Sequence, residues 1–497
     1  MTRSRGAQMT GAPTSPSSDI SVVSWRAFDA TLRGRVVLSD DADFDQVRKG
    51  PIARFDNVLP AAIVLCRSAE DVAAAVSFAG RSGIAPTVRS GGHSFAGYST
   101  GSGMVIDVSP MRSISVVGGV ATVGAGARLG EVYDAMDQRS LTIPAGCGPT
   151  VGIAGLTLGG GLGILGRSHG LTADSLIGAE VVMADARIVT CDSDHEPDLF
   201  WALRGAGACG FGVVTSLVFR TMPAPHVTCF HLTWPPSELS NVVDVWQGWA
   251  PTAPDALAAS LLVTAAGDAA PSVNVFGAMV GNESATDRLL AGLADRMGGD
   301  PETSFREEMP YRDAKRYLAA LGERFDDGWT GEMSAPGHSY SKSEYFRRPL
   351  AREAIDGLIE RLTRATASGQ VRQLDFTPWG GAYNRLRSDA TAFPHREELF
   401  LLKHELIVDP TQPDSTTDAG AHWLQKSWET VHPWGSGGVY PNFPDPDLVD
   451  EGHTYFQDNF ERLVSLKTKY DPANVFRSAL ATTTSAVQHR RRADHAT

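Results

Sequence analysis

The segment from Arg89 to Ser99, RSGGHSFAGYS, places one histidine inside a glycine-rich turn that follows a short apolar strand. Gly91 and Gly92 allow positive φ angles and a close approach of the backbone to a ligand. Successive peptide N–H groups in such a turn form a binding site for an anion. The pattern therefore indicates a phosphate-containing cofactor with the imidazole of His93 beside it. A plain glycine turn with a solvated histidine would have the same local sequence, so the choice depends on the rest of the chain.

The composition restricts the class of protein. A chain of 497 residues is long enough for two or three domains, and 42% hydrophobic with 20% charged residues is ordinary for a globular protein. The net charge of −13 argues against nucleic acid or an anionic membrane as a partner, because both need clustered Lys and Arg. No apolar run approaches the ~20 residues that cross a bilayer, and the segment from Met1 to Ser18 lacks the apolar core of a signal peptide. We therefore expect no nucleic-acid or membrane partner and a cytoplasmic location.

The five cysteines indicate a reducing compartment. They form no CxxC pair, and their odd number leaves at least one unpaired in a monomer. The same spacing argues against zinc, so no metal is expected. Cys66 follows the apolar run Ile63 to Leu65 and is predicted to be a small buried hydrophobe.

Hydrophobic periodicity predicts a chain of mixed helices and strands. The run from Ile63 to Leu65 is typical of a buried strand, and Ser68 caps a helix that continues to Ala79. Further strands or hairpins are predicted over 113–123, 179–190, 212–220 and 272–279, and further helices over 129–138, 198–203, 285–297 and 455–469. From about residue 224 the sequence is rich in Trp and Pro, which indicates a second α+β domain.

Two GxGxxG matches, at residues 161–166 and 205–210, raise the alternative of a nicotinamide dinucleotide site. That fingerprint requires a strand, then the glycines, then a helix. The match at 205–210 follows a predicted helix and precedes a strand, and no good helix follows the match at 161–166. The glycines are better explained as loops that a cofactor approaches closely.

Further motifs surround the RSGGHSF segment in a fixed order. They are PAAIVLCRSAEDV at 60–72, PTVGIAGLTLGGG at 149–161, GLTAD at 170–174, WALRGAG at 201–207, YPNFPD at 440–445 and YDPANVF at 470–476. Together they resemble the berberine-bridge-enzyme-like oxidases, a branch of the vanillyl-alcohol-oxidase/PCMH flavoprotein superfamily. The resemblance covers about residues 54 to 480 and is weakest in the middle.

The resemblance implies an α+β fold. A PCMH-type FAD-binding domain of two α/β subdomains is expected to join an α+β substrate domain built on an antiparallel sheet. The predicted ranges are 1–53 for an N-terminal tail and flanking segment, 54–225 for the FAD-binding domain, 226–436 for the substrate-binding domain, 437–482 for a C-terminal module that returns to the FAD-binding domain, and 483–497 for a tail.

By the same resemblance the cofactor is FAD, and His93 bonds through a ring nitrogen to the 8α carbon of the isoalloxazine. The pyrophosphate is expected to lie against the N–H groups and side-chain donors of Arg89, Ser90, Gly91, Gly92 and Ser94, with Arg89 alternatively a structural cation. The residues expected to line the flavin are Val151, Gly152, Gly155 and Gly161.

Cys147 departs from the pattern of doubly linked family members. In those proteins a cysteine directly precedes Pro-Thr-Val-Gly and forms a thioether to the flavin, whereas here Gly148 occupies that position. An offset of one residue turns a side chain to the opposite face of an extended segment. We therefore expect a single link through His93, although a local bulge would restore the reach of Cys147.

Tyr440, in the YPNFPD motif, is the expected catalytic base. The resemblance implies that it accepts the proton of the substrate hydroxyl while hydride passes to flavin N5, and that Asn442 contacts the flavin or orients Tyr440. A free phenol has a pKa near 10, so the site must lower that pKa through donors or positive charge. The sequence does not identify these groups, and a packed aromatic in a proline-rich loop is the alternative role.

These expectations describe an FAD-dependent oxidase that acts on an alcohol-type C–H donor and reduces dioxygen to hydrogen peroxide. The expected substrate is a small molecule, either a sugar, an oligosaccharide or a hydroxylated secondary metabolite. Two alternatives stay open: a flavin dehydrogenase with another electron acceptor, and a flavin-binding protein without turnover. Asp375 and His404 carry no spacing signature beyond a structural role.

Overall fold

The computed structural model describes residues 20–206, 209–267, 269–330, 337–364, 366–448 and 450–477. The predicted C-terminal tail at 483–497 and the first 19 residues lie outside these ranges. The described chain has an α+β architecture, as predicted, with sheets of four, five and seven strands and a two-stranded ribbon. The domain boundaries remain predictions.

The first sheet is a small α/β layer. Its elements are α1 (Val22–Asp29), β1 (Arg35–Val37), α2 (Phe44–Arg48), β2 (Ala62–Leu65), α3 (Ala69–Ser82), β3 (Pro86–Arg89) and β4 (Met104–Asp107). The strand order is β1-β2-β4-β3, with β2, β4 and β3 parallel. Helix α3 begins where Ser68 Oγ accepts from Asp71 N–H (3.3 Å), and it ends at Gly83 with φ +65. Strand β1 extends this sheet upstream of the predicted domain start at residue 54.

The second sheet is antiparallel. Its elements are β5 (Ile114–Val117), β6 (Val120–Gly124), α4 (Leu129–Asp137), β7 (Leu141–Thr142), α5 (Ile153–Leu158), α6 (Gly166–His169), β8 (Leu176–Met183), β9 (Ile188–Cys191), α7 (Pro197–Leu203), β10 (Gly212–Arg220) and β11 (Met222–Pro223). The strand order is β5-β6-β10-β8-β9, and β7 pairs with β11. The predicted hairpin at 113–123 turns at Gly118 and Gly119, whose φ angles are both positive.

The third sheet has seven antiparallel strands. Its elements are β12 (His226–Trp234), α8 (Leu239–Trp249), β13 (Leu257–Ala266), β14 (Ser272–Val280), α9 (Glu283–Met297), β15 (Thr303–Pro310), α10 (Tyr311–Thr330), β16 (His338–Phe346), α11 (Arg352–Thr363), β17 (Gln370–Pro378), β18 (Phe400–Val408) and α12 (Asp414–Val431). The strand order is β15-β12-β14-β13-β17-β18-β16. Helices α8, α9, α11 and α12 bury one face of the sheet, whereas α10 packs into the core of the first two sheets.

The C-terminal segment differs from its predicted form. The sequence predicts one helix over 455–469, but the chain forms α13 (Glu451–Phe456), a 3₁₀ turn at Gln457–Asn459 and α14 (Phe460–Tyr470). Gln457 has φ +44, and Asn459 Nδ2 donates to the Ser388 and Thr391 carbonyls (2.7 and 3.2 Å), which holds the turn against a distant loop. The apolar spacing continues through the turn, so periodicity alone does not reveal it.

One arginine connects the second sheet's region to the large sheet. Arg167, in α6, donates to the carbonyls of Ala250, Pro251, Ala253 and Leu257, which follow the C-terminal end of α8. The side chain is 2% exposed. It supplies four hydrogen bonds to the segment that joins α8 to β13. Within the described ranges no helix is long and apolar enough to cross a membrane.

Candidate active site

A cavity of about 470 Å³ lies where three segments of the chain meet. Its lining comes from residues 88–99, from residues 146–156 with Leu162, and from residues 440–444. The first segment follows β3, the second leads into α5, and the third precedes α13. The cavity therefore brings His93, Cys147 and Tyr440 together from distant parts of the sequence.

The glycine turn offers backbone donors to this cavity. Gly92 has φ +76, a conformation that favours glycine. The peptide N–H groups of Gly91, Gly92, His93 and Ser94 donate to no acceptor within the described ranges. Adjacent N–H groups in this arrangement bind anionic oxygens, so the turn fits a pyrophosphate.

The glycines between residues 152 and 161 have different roles in the site. A Cβ at Gly91 would lie 2.2 Å from Gly152 N, and one at Gly152 would lie 2.4 Å from Gly91 N, so these two backbones touch each other. Gly155 meets nothing within 4 Å and, like Val151, lines the cavity. Gly161, expected to line the flavin, does not line the cavity; its N–H reaches the site by donating to Tyr440.

The Arg89 side chain is held by groups of the protein. Its Nε donates to Asp107 Oδ2 (2.8 Å), and its Nη atoms donate to the Arg48 and Val47 carbonyls (2.9 and 2.8 Å). The side chain is 6% exposed. These bonds agree with the alternative role of a structural cation, and the contact between its guanidinium and the pyrophosphate stays a prediction.

The two serines of the turn also differ from each other. The Ser90 hydroxyl donates to the Ala125 carbonyl (2.7 Å), which fixes the turn and removes this hydroxyl as a donor to phosphate. The Ser94 hydroxyl accepts from Tyr98 N–H (3.1 Å) and lines the cavity. Of the two serine hydroxyls, that of Ser94 is therefore the one that can still donate to a pyrophosphate.

His93 is half-buried and held by a threonine. Its Nε2 lies 3.1 Å from Thr150 Oγ1. Burial lowers the pKa of His93, and the nearby Arg128 lowers it further, with a partial offset from the Thr150 backbone. A neutral imidazole results. If Nε2–H donates to Thr150, then Nδ1 carries the free lone pair that a nucleophile needs.

Tyr440 has three N–H donors directed at its phenolic oxygen. Gly161 N and Leu162 N donate to it at 3.0 and 3.1 Å, and Asn442 Nδ2 donates at 3.1 Å. Burial raises the pKa of Tyr440, and all three donors oppose that rise. These donors are the groups that the sequence left unidentified. They stabilise the phenolate, but the net pKa shift is upward, contrary to expectation.

Asn442 orients the tyrosine. Its Nδ2 donates to the Leu156 carbonyl (2.9 Å) as well as to Tyr440. A Cβ at Gly159 would lie 2.1 Å from Asn442 Oδ1, so the amide needs a glycine there. Of the two expected roles, contact with the flavin or orientation of Tyr440, the structure displays the second and places Asn442 in the cavity lining.

Comparison with known proteins identifies the family. Residues 60–192 match the model of an FAD binding domain, and residues 439–481 match the berberine and berberine-like model. The FAD-linked oxidoreductase YgaK of Bacillus subtilis is 32% identical over 461 residues, which cover 90% of this chain and 96% of that protein. The chain belongs to the berberine-bridge-enzyme-like family.

Other members of the berberine-bridge-enzyme-like family extend the comparison. Glucooligosaccharide oxidase of Sarocladium strictum is 32% identical over 442 residues, covering 84% of this chain and 86% of that protein. A solved structure of glucooligosaccharide oxidase from Acremonium strictum, with FAD described as 6-S-cysteinyl and 8α-N1-histidyl, has a TM-score of 0.81 and 28% identity. It covers 92% of this chain and 98% of that chain. The predicted PCMH-type fold is confirmed, and the protein is an FAD-linked oxidoreductase.

The residues that line the cavity of this chain fit FAD. The donor turn at Gly91 to Ser94 suits the pyrophosphate, and the glycine-lined cavity beside it suits a flat ring that approaches the backbone closely. Gly155 is the clearest example, because a Cβ there would project into open space.

Several residues that the sequence analysis missed lie beside the cavity. Lys403, on β18, contacts the cavity-lining rings of Phe95 and Phe443, with its Nζ at 5.8 and 5.2 Å from the ring centroids. It pairs with Glu405 (2.6 Å) and Asp375 (3.7 Å). Burial raises the pKa of Asp375, and Lys403 opposes the rise. The sequence signal that could have revealed these residues is the presence of charges at alternate positions of otherwise apolar strands.

Proposed function

We propose that this FAD-linked oxidoreductase oxidises an alcohol-type C–H donor, with dioxygen as the electron acceptor and hydrogen peroxide as the product. Its substrate class is a sugar, an oligosaccharide or a hydroxylated secondary metabolite. FAD supplies the redox chemistry, because it accepts hydride from carbon and returns two electrons to dioxygen. The five free cysteines support a cytoplasmic location for the reaction.

His93 is the proposed attachment residue for FAD. It lines the cavity beside the donor turn, and burial keeps its imidazole neutral and therefore nucleophilic. With Nε2–H donating to Thr150, Nδ1 is the proposed attaching nitrogen. The histidyl FAD described for glucooligosaccharide oxidase supports the same type of bond here.

The observation that carries the proposal is the environment of the Tyr440 oxygen. Three N–H groups donate to it at the edge of the cavity, and no carboxylate of the described residues is among its hydrogen-bond partners. The three donors oppose the rise in pKa that burial causes, so they favour the phenolate, which is the form that accepts a proton from a substrate hydroxyl. Tyr440 is therefore the proposed general base.

The polar cluster of Asp375, Lys403 and Glu405 supports a hydroxylated substrate. These charged groups lie beyond the Phe95 and Phe443 rings, on the face of the large sheet that the four helices leave uncovered. Carboxylate and ammonium groups donate or accept hydrogen bonds with several hydroxyls at once. These groups pair with one another in the structure, and a purely apolar alcohol would add no hydrogen bond to them.

The first test separates attachment from turnover. After acid precipitation the wild-type protein should stay yellow, and His93→Ala should release its flavin into the supernatant. His169→Ala is the matched control, because His169 lies outside the cavity lining and its replacement should leave the flavin attached. Flavin released from the wild type would refute the link through His93.

The second test identifies the donor and the acceptor. A panel of oligosaccharides and hydroxylated polyketides is screened for bleaching of the flavin without oxygen and for peroxide release with oxygen. Bleaching with release of peroxide supports the oxidase. Bleaching followed by reoxidation only with artificial dyes supports the dehydrogenase alternative. The family's FAD-linked oxidoreductases argue against a binding protein without turnover.

A further inference from the structure

Cys147 lies beside a buried lysine that has no carboxylate partner in the described ranges. Lys315, in α10, is 3% exposed. Its Nζ donates to the Ala145 carbonyl, to the Gly146 carbonyl (3.2 Å) and to Cys147 Sγ (3.9 Å). It also lies 5.0 and 4.9 Å from the ring centroids of Tyr133 and Tyr311.

Among these contacts the Cys147 thiol is the group that peroxide can oxidise. The carbonyls are neutral, and burial raises the pKa of both tyrosines well above the ordinary value. A nearby ammonium stabilises a thiolate relative to a thiol, and the thiolate is the reactive form of cysteine. Burial also lowers the pKa of Lys315, which makes its amine more readily available as a nucleophile.

The other four cysteines provide a contrast within the same chain. Cys66, Cys191, Cys209 and Cys229 are buried, and burial raises the pKa of each thiol. Cys147 is partly exposed and lines the cavity. An oxidant formed in the cavity therefore meets Cys147 first.

We infer that Cys147 and Lys315 form a peroxide-reactive pair that closes into a reversible sulfur–nitrogen cross-link. The Cys147 thiolate attacks one oxygen of hydrogen peroxide, the O–O bond breaks, and the leaving hydroxide takes up a proton to become water. The Lys315 amine then attacks the sulfenic sulfur, the S–O bond breaks, and the hydroxyl leaves as water with a proton from nitrogen. Sulfur is oxidised by two electrons, peroxide is reduced to two waters, and a thiol reductant reverses the bond.

The cross-link would join two separate parts of the fold. Cys147 belongs to the loop that lines the cavity, and Lys315 belongs to the helix α10 that follows β15 of the large sheet. The peroxide comes from the proposed oxidase reaction, so the physiological role of the pair depends on that proposal. The chemistry of the pair does not.

The test adds hydrogen peroxide to the reduced holoenzyme without any substrate, so that its outcome is independent of turnover. Peptide mass analysis should find the Cys147 and Lys315 peptides joined, with the mass of two hydrogens missing, and dithiothreitol should separate them. The four buried cysteines should stay reduced. Failure of this test would leave the oxidase proposal untouched, and a missing oxidase activity would leave this test valid.

Two variants separate the roles of charge and nucleophile. Lys315→Arg keeps the cation but lacks the amine, so Cys147 should accumulate a sulfenic acid that dimedone traps, without a cross-link. Lys315→Met removes the cation, so oxidation of Cys147 should slow by about tenfold or more. Flavin absorbance confirms folding, and if Lys315→Met does not fold, the Arg variant decides. Three results would overturn the inference. Cys147 could stay reduced in the wild type, it could react equally fast in a folded Lys315→Met variant, or it could be found in a flavopeptide.

Discussion

At the scale of single residues, the oxygen of Tyr440 is the most informative atom of the site. Tyr440→Phe removes that oxygen and keeps the ring, which packs edge-on against Trp379, Phe393 and Phe443. Packing and flavin attachment should therefore survive. Stopped-flow reduction by a substrate should slow by ~10²–10⁴-fold, the usual contribution of a positioned general base.

Two comparisons make this prediction specific to Tyr440. Tyr383→Phe removes a second buried hydroxyl, which contacts Gly163 N and O (3.1 and 3.0 Å), and it should leave the reduction rate near that of the wild type. Because burial raises the pKa of Tyr440, the wild-type rate should increase with pH through the alkaline range. A Tyr440→Phe rate equal to the wild type, or an alkaline rise that persists in it, would exclude Tyr440 as the base.

Thr150 is predicted to position His93 for attachment. Thr150→Val keeps the β-branched shape but removes the partner of His93 Nε2 (3.1 Å), so the tautomer with a free Nδ1 is no longer favoured. Attachment of FAD to apoprotein should slow by about three- to tenfold, because that factor corresponds to the free energy of one hydrogen bond. Acid precipitation at successive times measures the rate. Thr150→Ser restores a hydroxyl and should attach FAD like the wild type, and equal rates in all three proteins would contradict the role.

At the scale of elements, the segment that joins α8 to β13 depends on one side chain from another part of the fold. Arg167→Met removes the guanidinium donors to the carbonyls of Ala250, Pro251, Ala253 and Leu257. The free energy of unfolding should fall by about 2–4 kcal/mol, measured by urea denaturation with circular dichroism.

The matched control for this prediction is Arg385→Met. Arg385 also pairs near this region, with Asp255, but its side chain is 62% exposed. An exposed ion pair contributes little, so the change should stay within about 1 kcal/mol. Equal losses in the two variants would mean that the buried hydrogen bonds of Arg167 contribute no more to stability than an exposed ion pair.

The elements of the fold were predictable where their signals are local. The cap at Ser68, the turn at Gly118 and the alternation through β10 and β14 lie within short windows, and the structure confirms these strands and helices. The break at Gln457 was not predictable, because Asn459 bonds to carbonyls 68 and 71 residues away.

At the scale of the whole molecule, contacts between residues far apart in sequence also limited the prediction of the site. The family resemblance of the motifs implied that His93 and Tyr440 share one site, and both line the same cavity. Arg89 pairs with Asp107 on a neighbouring strand, and two of the three donors to Tyr440 lie 278 and 279 residues away in sequence. Lys315 reaches Cys147 from 168 residues away. Such contacts depend on tertiary structure, which no short window of sequence contains.

The stability of the whole molecule should depend on pH through two buried histidines. Burial lowers the pKa of both His395 and His404 to about 3, and both side chains are fully buried. In the unfolded chain their pKa is about 6.5, so below that pH the unfolded state binds more protons than the folded state. Their contribution to stability is fully present above pH 6.5 and is lost as the pH falls toward 3. Each should lower the free energy of unfolding by about 1.4 kcal/mol per pH unit in that window.

Replacing one of the two histidines measures its contribution to the pH dependence of the free energy of unfolding. In the folded protein His404 Nδ1 lies 2.8 Å from Ser427 Oγ. His404→Asn keeps a polar group near that hydroxyl and removes the titrating ring. The variant should be less stable at pH 7, because the lost ring leaves a cavity, but its stability should fall less steeply between pH 6.5 and 5. Urea denaturation at several pH values measures both slopes. His195→Asn, in which the replaced side chain is 74% exposed, should keep the wild-type slope. A slope in His404→Asn as steep as in the wild type would show that His404 takes up its proton without unfolding.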